Sequence, residues 1–182
     1  VGSNEKTAPV IEESYKRFLA IMEKHFANSP FILGQKPSSA DFAIFGQLTQ
    51  LIGFGPTSRN IAHEISKRTV AWINSMEDLS GLKTENNEWF DVDSIPNSLK
   101  ELFTEVGKVY VPALIANAEA LEKGDETWET VIDDVAWSQK AFPYQAKCLK
   151  WIKEEFESLS EVDKVKVLEI LDGSGCEKLL KS

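Results

Sequence analysis

Few residues in this chain are of a type that does covalent or metal chemistry, and their spacing decides what each can be. His25 and His63 are the two histidines. Neither belongs to an HExxH pattern, and no cysteine pair completes a zinc set around them. Asp91-Val92-Asp93-Ser94 opens like a calcium loop. Pro96 then stands where that loop needs glycine, and Leu102 where it needs glutamate, so the pattern fails. Cys176 follows Gly173-Ser174-Gly175 and would begin a helix, where the dipole lowers a thiol pKa. The competing reading, which we favour, is a small apolar anchor docking the C-terminus with Leu179 and Leu180. Cys148 falls on a helical stripe and is expected in the core. Serine nucleophile and phosphate-loop patterns are absent; Gly53-Phe54-Gly55-Pro56 is too short and proline-stopped to cradle a phosphate. Five Trp, three Tyr and ten Phe could line an apolar pocket, but helix-to-helix packing explains them as well. The residues themselves therefore give no catalytic, cofactor-binding or metal-ligating set.

The chain around these residues reads as one helical domain, or one with a small appendage. It has 182 residues, 42% hydrophobic and 27% charged, enough to bury about 70% of its unfolded surface. The net charge of −9 argues against nucleic acid or an anionic membrane as the main partner, since both need a basic face. No apolar run approaches the ~18 residues of a membrane span. Two cysteines without CxxC, and no glycosylation acceptor, suit a reducing cytoplasm.

Ile11, Tyr15, Phe18, Leu19, Met22 and Phe26 form one apolar stripe, which predicts a helix over 10–27. A second helix begins at Ser38, the N-cap of a capping box closed by Asp41. Phe42, Ile44, Phe45, Leu48, Leu51 and Ile52 make that helix apolar nearly all round, so it is expected to be central and buried. Helix is predicted again over 58–78 with a break near 66–69, followed by a polar loop with Trp89-Phe90 pinned to the body. A long helix from Asn97 to Gly124 is expected to kink at Pro112. Strands over 127–132 and 135–139 flank Asp133-Asp134 as a hairpin. A helix opening at Pro143-Tyr144 and another capped by Ser160-x-x-Asp163 complete the chain.

Phe31-Ile32-Leu33-Gly34 followed by Ser38-x-Ala40-Asp41-Phe42 resembles the signature of the glutathione transferase C-terminal helical domain. There a glycine turn leads into Ser/Thr-x-Ala-Asp and a central helix. Val70-Ala71-Trp72-Ile73 is similar to the family's downstream tryptophan helix, with its expected proline absent. Phe142-Pro143-Tyr144-Gln145 and Gly175-Cys176-Glu177 resemble segments of a bacterial-type C-terminal extension. The resemblance implies an all-α, glutathione transferase C-terminal-like helical bundle with a small β-hairpin in the extension. It divides the chain into a scar or linker over 1–9, a helical core over 10–81, and an extension over 82–182 packed on the core.

The resemblance also implies what this chain does not carry. In the family, glutathione and the residue that activates its thiol lie in an N-terminal thioredoxin-like domain, which nothing here resembles. The chain would be the C-terminal piece of a larger protein, with no activity alone. It would form the hydrophobic co-substrate wall and dimer-interface region for conjugation or reduction of a small apolar electrophile. Glutathione is then the co-substrate of the whole protein, and the partners are the missing domain and a second copy in a homodimer. Gly34, Ser38 and Asp41 are folding residues in this reading, and Phe54, Tyr110 and Trp151 are candidates for the wall. The alternative is a non-catalytic interaction or assembly module of the same helical type.

Overall fold

The computed structural model describes residues 3–83 and 88–180. Among them the chain forms eight α-helices and one antiparallel hairpin. In order these are α1 (Ala8–His25), α2 (Ser39–Gly53), α3 (Pro56–Ile65), α4 (Lys67–Met76), α5 (Asn97–Val109), α6 (Val111–Lys123), β1 (Thr127–Ile132), β2 (Val135–Lys140), α7 (Pro143–Glu157) and α8 (Glu161–Leu171). Short 3-10 turns at Val92–Ser94 and Cys176–Leu179 complete the elements. The fold is helical with one small hairpin, in agreement with the sequence pattern. It divides into two compact units, Tyr15–Leu99 and the rest of the chain, with the divisions falling inside α1 and α5.

The unit Tyr15–Leu99 is built on the stripe of α1. Leu19 is fully buried with Phe31, Leu48 and Ile52 of α2, and Trp72, Ile73 and Met76 of α4. Trp72 stacks on Phe26 with ring centroids 4.8 Å apart, and its indole N–H donates to the Pro30 carbonyl at 3.0 Å. Helix breaks at Ser66, inside the predicted window. The Ser66 hydroxyl accepts from the Thr69 amide and donates to the Glu23 carboxylate on α1 at 2.9 Å. Glu23 also accepts from the Arg68 amide and pairs with its guanidinium. This serine cap starts α4 where the family pattern expects a proline.

Helix α2 departs from the expectation of complete burial. Leu48 and Ile52 face the core, but Phe42 is 54% exposed, Leu51 39%, and Phe54 just beyond the helix 77%. An all-round apolar helix needs cover on two sides; here only the Leu48–Ile52 side receives it.

In the other unit α6 lies against β1 and α7. Val111, Leu114, Leu149, Cys176 and Leu179 form its core, with Phe103, Val106 and Ile152 packed on them. The expected single helix over 97–124 is two helices, α5 and α6, separated at Tyr110. Pro112 has no N–H for the Lys108 carbonyl, and it is accommodated instead in the first turn of a new helix, where that donor is not needed. The 3.6 period runs on because the interruption removes little rotation. Gly124 ends α6 in the left-handed conformation.

The hairpin has the predicted turn, and its second strand runs one residue further than expected, to Lys140. Trp128 pairs with Gln139, Thr130 with Trp137, and Ile132 with Val135. Asp133 and Asp134 take φ of 52° and 63°, the positive pair of a two-residue turn that matches strand twist. Lys108 Nζ reaches Asp133 Oδ1 at 2.6 Å. On α7 the buried position is Leu149, and Cys148 is half-buried instead of central. Ser160 and Asp163 cap α8, the hydroxyl accepting from the Asp163 amide at 3.2 Å.

Candidate functional site

The most sharply specified polar group in the unit Tyr15–Leu99 is Asp41, whose side chain is wholly buried. Its Oδ1 accepts from the Ile32 amide at 2.8 Å, and its Oδ2 accepts from the Ser38 amide at 2.8 Å and the Ser38 hydroxyl at 2.7 Å. A capping box therefore opens α2, and the carboxylate also ties the preceding turn to the helix start. Three donors and the positive end of the helix compensate a buried charge that has no cation among these partners. Gly34 completes the turn at φ +135°. Residues 88–90 run beside it: Gln35 N–H donates to the Glu88 carbonyl and Phe90 N–H to the Leu33 carbonyl. A Cβ at Gly34 would lie 2.8 Å from the Glu88 oxygen and 3.0 Å from the Phe90 nitrogen. Glycine is required there both for its backbone conformation and for that close approach.

The three aromatic wall candidates fall in two different units. Phe54 stands exposed after α2 in one unit. Tyr110 and Trp151 belong to the other. Trp151 is 44% exposed on α7, edge-on to Tyr144 with Lys147 Nζ 4.9 Å from its ring. Tyr110 lines a cavity of about 350 Å³ with Ile11 and Ser14 of α1, Leu114 of α6, and Trp128 and Trp137 of the hairpin. Cys176 is buried, and its thiol donates to the Phe103 carbonyl at 3.2 Å. Burial pushes this thiol up from its ordinary range, and Glu177 adds to the rise against the opposing Ser174 hydrogen bond. It is placed as an anchor and not as a nucleophile. Among the described residues no group of three or more His, Cys, Asp or Glu is placed to hold a metal.

Comparison with known protein families bears on the first part of the chain. Residues 2–84 match the family model described as glutathione S-transferase, C-terminal domain. The match spans a little under half of the chain. No curated protein and no solved structure matches the chain. Within the matched residues, Gly34, Ser38 and Asp41 hold the entry to α2.

Three residues central to the structure were not singled out from the sequence. Glu23 locks the start of α4 through Ser66 and Arg68, a contact 43 and 45 positions away. Asn117, fully buried on α6, clamps the Phe142 backbone: its amide donates to the Phe142 carbonyl at 3.0 Å, and its oxygen accepts from the Phe142 N–H at 2.7 Å. A lone asparagine in the apolar run Ala113–Ala118 was the available signal, since a buried amide needs partners. Trp128 is 3% exposed, and its indole nitrogen has no hydrogen-bond partner. Periodicity marks it as inward-facing but carries no information on its N–H.

Proposed function

We propose that this chain is the helical half of a glutathione transferase-like protein. Its glutathione S-transferase C-terminal domain would present an apolar wall to a hydrophobic co-substrate, while thiol activation lies in a separate thioredoxin-like domain. The observation that carries this reading is the exposed apolar pair at the end of α2 and in the turn after it, Leu51 and Phe54, three positions apart in the unit that holds most of the family match. Apolar surface of this kind gains about 25 cal/mol per Å² when covered. Clustered exposure of large apolar side chains marks a contact face for a ligand or a partner. The wall would exclude water and hold the electrophile in line for attack, a contribution of orientation and not of proton transfer.

The test is kinetic and uses the whole protein. Phe54→Ala raises KM for an apolar aromatic electrophile several-fold and leaves KM for glutathione unchanged. Equal effects on both constants, or on neither, would refute the wall. This chain alone shows no glutathione binding at micromolar concentration by calorimetry; tight binding would overturn the division of roles. The same exposed pair favours one second reading, a non-catalytic assembly module. Under that reading Phe54→Asp changes the mass of the assembly in solution and no transferase activity accompanies the intact protein.

A further inference from the structure

Among the described residues the hairpin is a sheet of two strands, so each strand keeps one edge unpaired. Its bonding pattern is fixed from both ends. A two-residue turn closes on a hydrogen-bonded pair, here Ile132–Val135. At the open end the Ala141 N–H donates to the Glu126 carbonyl at 2.8 Å. Alternation between these ends bonds Trp128 to Gln139 and Thr130 to Trp137 through the ladder. The N–H and C=O groups of Ala136, Ser138 and Lys140 on β2 therefore point out of the hairpin, as do those of Thr127, Glu129 and Val131 on β1. Among the described residues no backbone hydrogen bond reaches Ala136, Ser138 or Lys140 from outside the hairpin.

The two edges differ. Glu129 stands in the middle of the outward row of β1, and α6 packs against that strand. A charge in the middle of an edge discourages pairing. On β2 the corresponding positions are Ala136 and Ser138, both exposed, small and uncharged, and the register runs through without proline or bulge. The strand is also held at both ends. Asn117 clamps the Phe142 backbone just past it, and Lys108 ties down the turn through Asp133. A strand already fixed in this way loses little conformational freedom when it receives another.

The sequence of β2 decides what fits its edge. Turned antiparallel to itself about a two-fold axis at Trp137, it sets Ala136 opposite the partner's Ser138, both with outward-pointing backbone groups, so the ladder closes. Trp137 then meets the partner's Trp137, and Lys140 meets the partner's Asp134 at each end. Asp134 and Lys140 are exposed, and neither forms an ion pair among the described residues. Aromatic pairs and opposite charges are the cross-strand combinations that stabilise a sheet. A slip of two residues sets Lys140 against the partner's Ala136 and Trp137 against the partner's Gln139, and loses both.

We propose that β2 is a self-association edge: it pairs antiparallel with β2 of a second copy of this chain, about a two-fold axis at Trp137, to make a four-stranded sheet. The contact uses the same patch on both copies, so it closes as a dimer, and the edges left outside are those of β1 with Glu129. The hairpin lies outside residues 2–84, and the contact does not rest on the transferase reading.

The test is sedimentation of the 182-residue chain from micromolar to millimolar concentration. A contact this small is expected to give a weak, reversible monomer–dimer equilibrium. As dimer fills, the Ala136 and Ser138 amides gain protection from hydrogen exchange and those of Glu129 and Val131 do not. Lys140→Glu sets an acid opposite the partner's Asp134 twice per dimer and weakens association about tenfold. Asp134→Asn and Lys140→Gln each weaken it by a smaller factor, and the double variant is no weaker than either alone. Ser138→Pro removes an outward N–H, leaves the ladder to β1 in place and abolishes the dimer, with unchanged far-UV circular dichroism. Should that proline disturb the hairpin, the charge variants decide. A chain that stays monomeric at millimolar concentration, a dimer as strong in Lys140→Glu as in the native chain, or additive losses in the double variant would each overturn the proposal. So would Ala136 and Ser138 amides protected in the monomer, since another part of the chain would then cover the edge.

Discussion

Replacing Asp41 by alanine removes one carboxylate and leaves three donors without an acceptor: the amides of Ile32 and Ser38 and the Ser38 hydroxyl. A hydrogen bond to a charged group contributes about 1.5–3 kcal/mol. The three bonds share one carboxylate, so their energies do not add, and water entering the emptied site recovers part of the loss. We therefore expect a destabilisation of about 3–5 kcal/mol, above the ~1 kcal/mol of a typical exposed helix cap. For a chain of this size that corresponds to a fall in Tm of about 6–20 °C, at 2–4 °C per kcal/mol. Because the fold has two units, a melting curve alone can blend two transitions. Native-state hydrogen exchange localises the effect: the Ile32 and Ser38 amides lose protection, while amides of α6 and the hairpin keep theirs. Ser38→Ala, which removes only the hydroxyl, costs about 1 kcal/mol. A loss below about 1 kcal/mol in Asp41→Ala, with Ile32 exchange unchanged, would show that the carboxylate does not hold the turn.

Further expectations are equally direct. Gly34→Ala meets both a positive φ and the backbone of residues 88–90, so it destabilises by about 2 kcal/mol or more and exposes the Phe90 amide to exchange. Asp134→Gly relieves a left-handed non-glycine residue at φ 63° and keeps the Lys108–Asp133 pair; Tm rises by about 1–4 °C. Partial burial pushes the Glu23 carboxyl up, but its bonds to the Arg68 amide, the Ser66 hydroxyl and the Arg68 guanidinium outweigh this and hold it below the ordinary range. A lowered folded-state pKa stabilises the fold above the unfolded value of about 4.3 and ceases to do so as pH falls through the folded value. Stability measured by urea melts therefore drops below about pH 4.3 more steeply in the native chain than in Glu23→Gln.

Much of the fold was legible because it is written in local chemistry. The Ser38–Asp41 box, the Asp133-Asp134 turn and the Gly124 stop each depend on residues within four positions of one another, and each element begins or ends where those residues place it. The break at Tyr110 was not legible. Pro112 predicts a disturbance, but a kink and a new helix share one periodicity, and only tertiary packing separates them. The exposure of Phe42 and Leu51 was misread for a related reason: a helix apolar on every side states how much cover it needs and not whether this chain provides it. Glu23, Asn117 and Trp128 act through partners distant in sequence or through the lack of one. An isolated polar residue in an apolar run shows that an answer exists without naming it.

The pairing of residues 88–90 with Gly34 bears on how this protein can change length. Leu33 and Gln35 hold Phe90 and Glu88 by backbone bonds. The His25 ring meets Phe90 edge-on and hydrogen-bonds to Ser98 at 2.9 Å, so the chain is fastened again just before α5 gathers pace. Extra residues placed between Leu79 and Lys83 leave these fastenings in register. Extra residues between Phe90 and Ser98 shift one fastening against the other and force a choice between them. Natural insertions and engineered fusions at this connection should therefore accumulate on its first side alone.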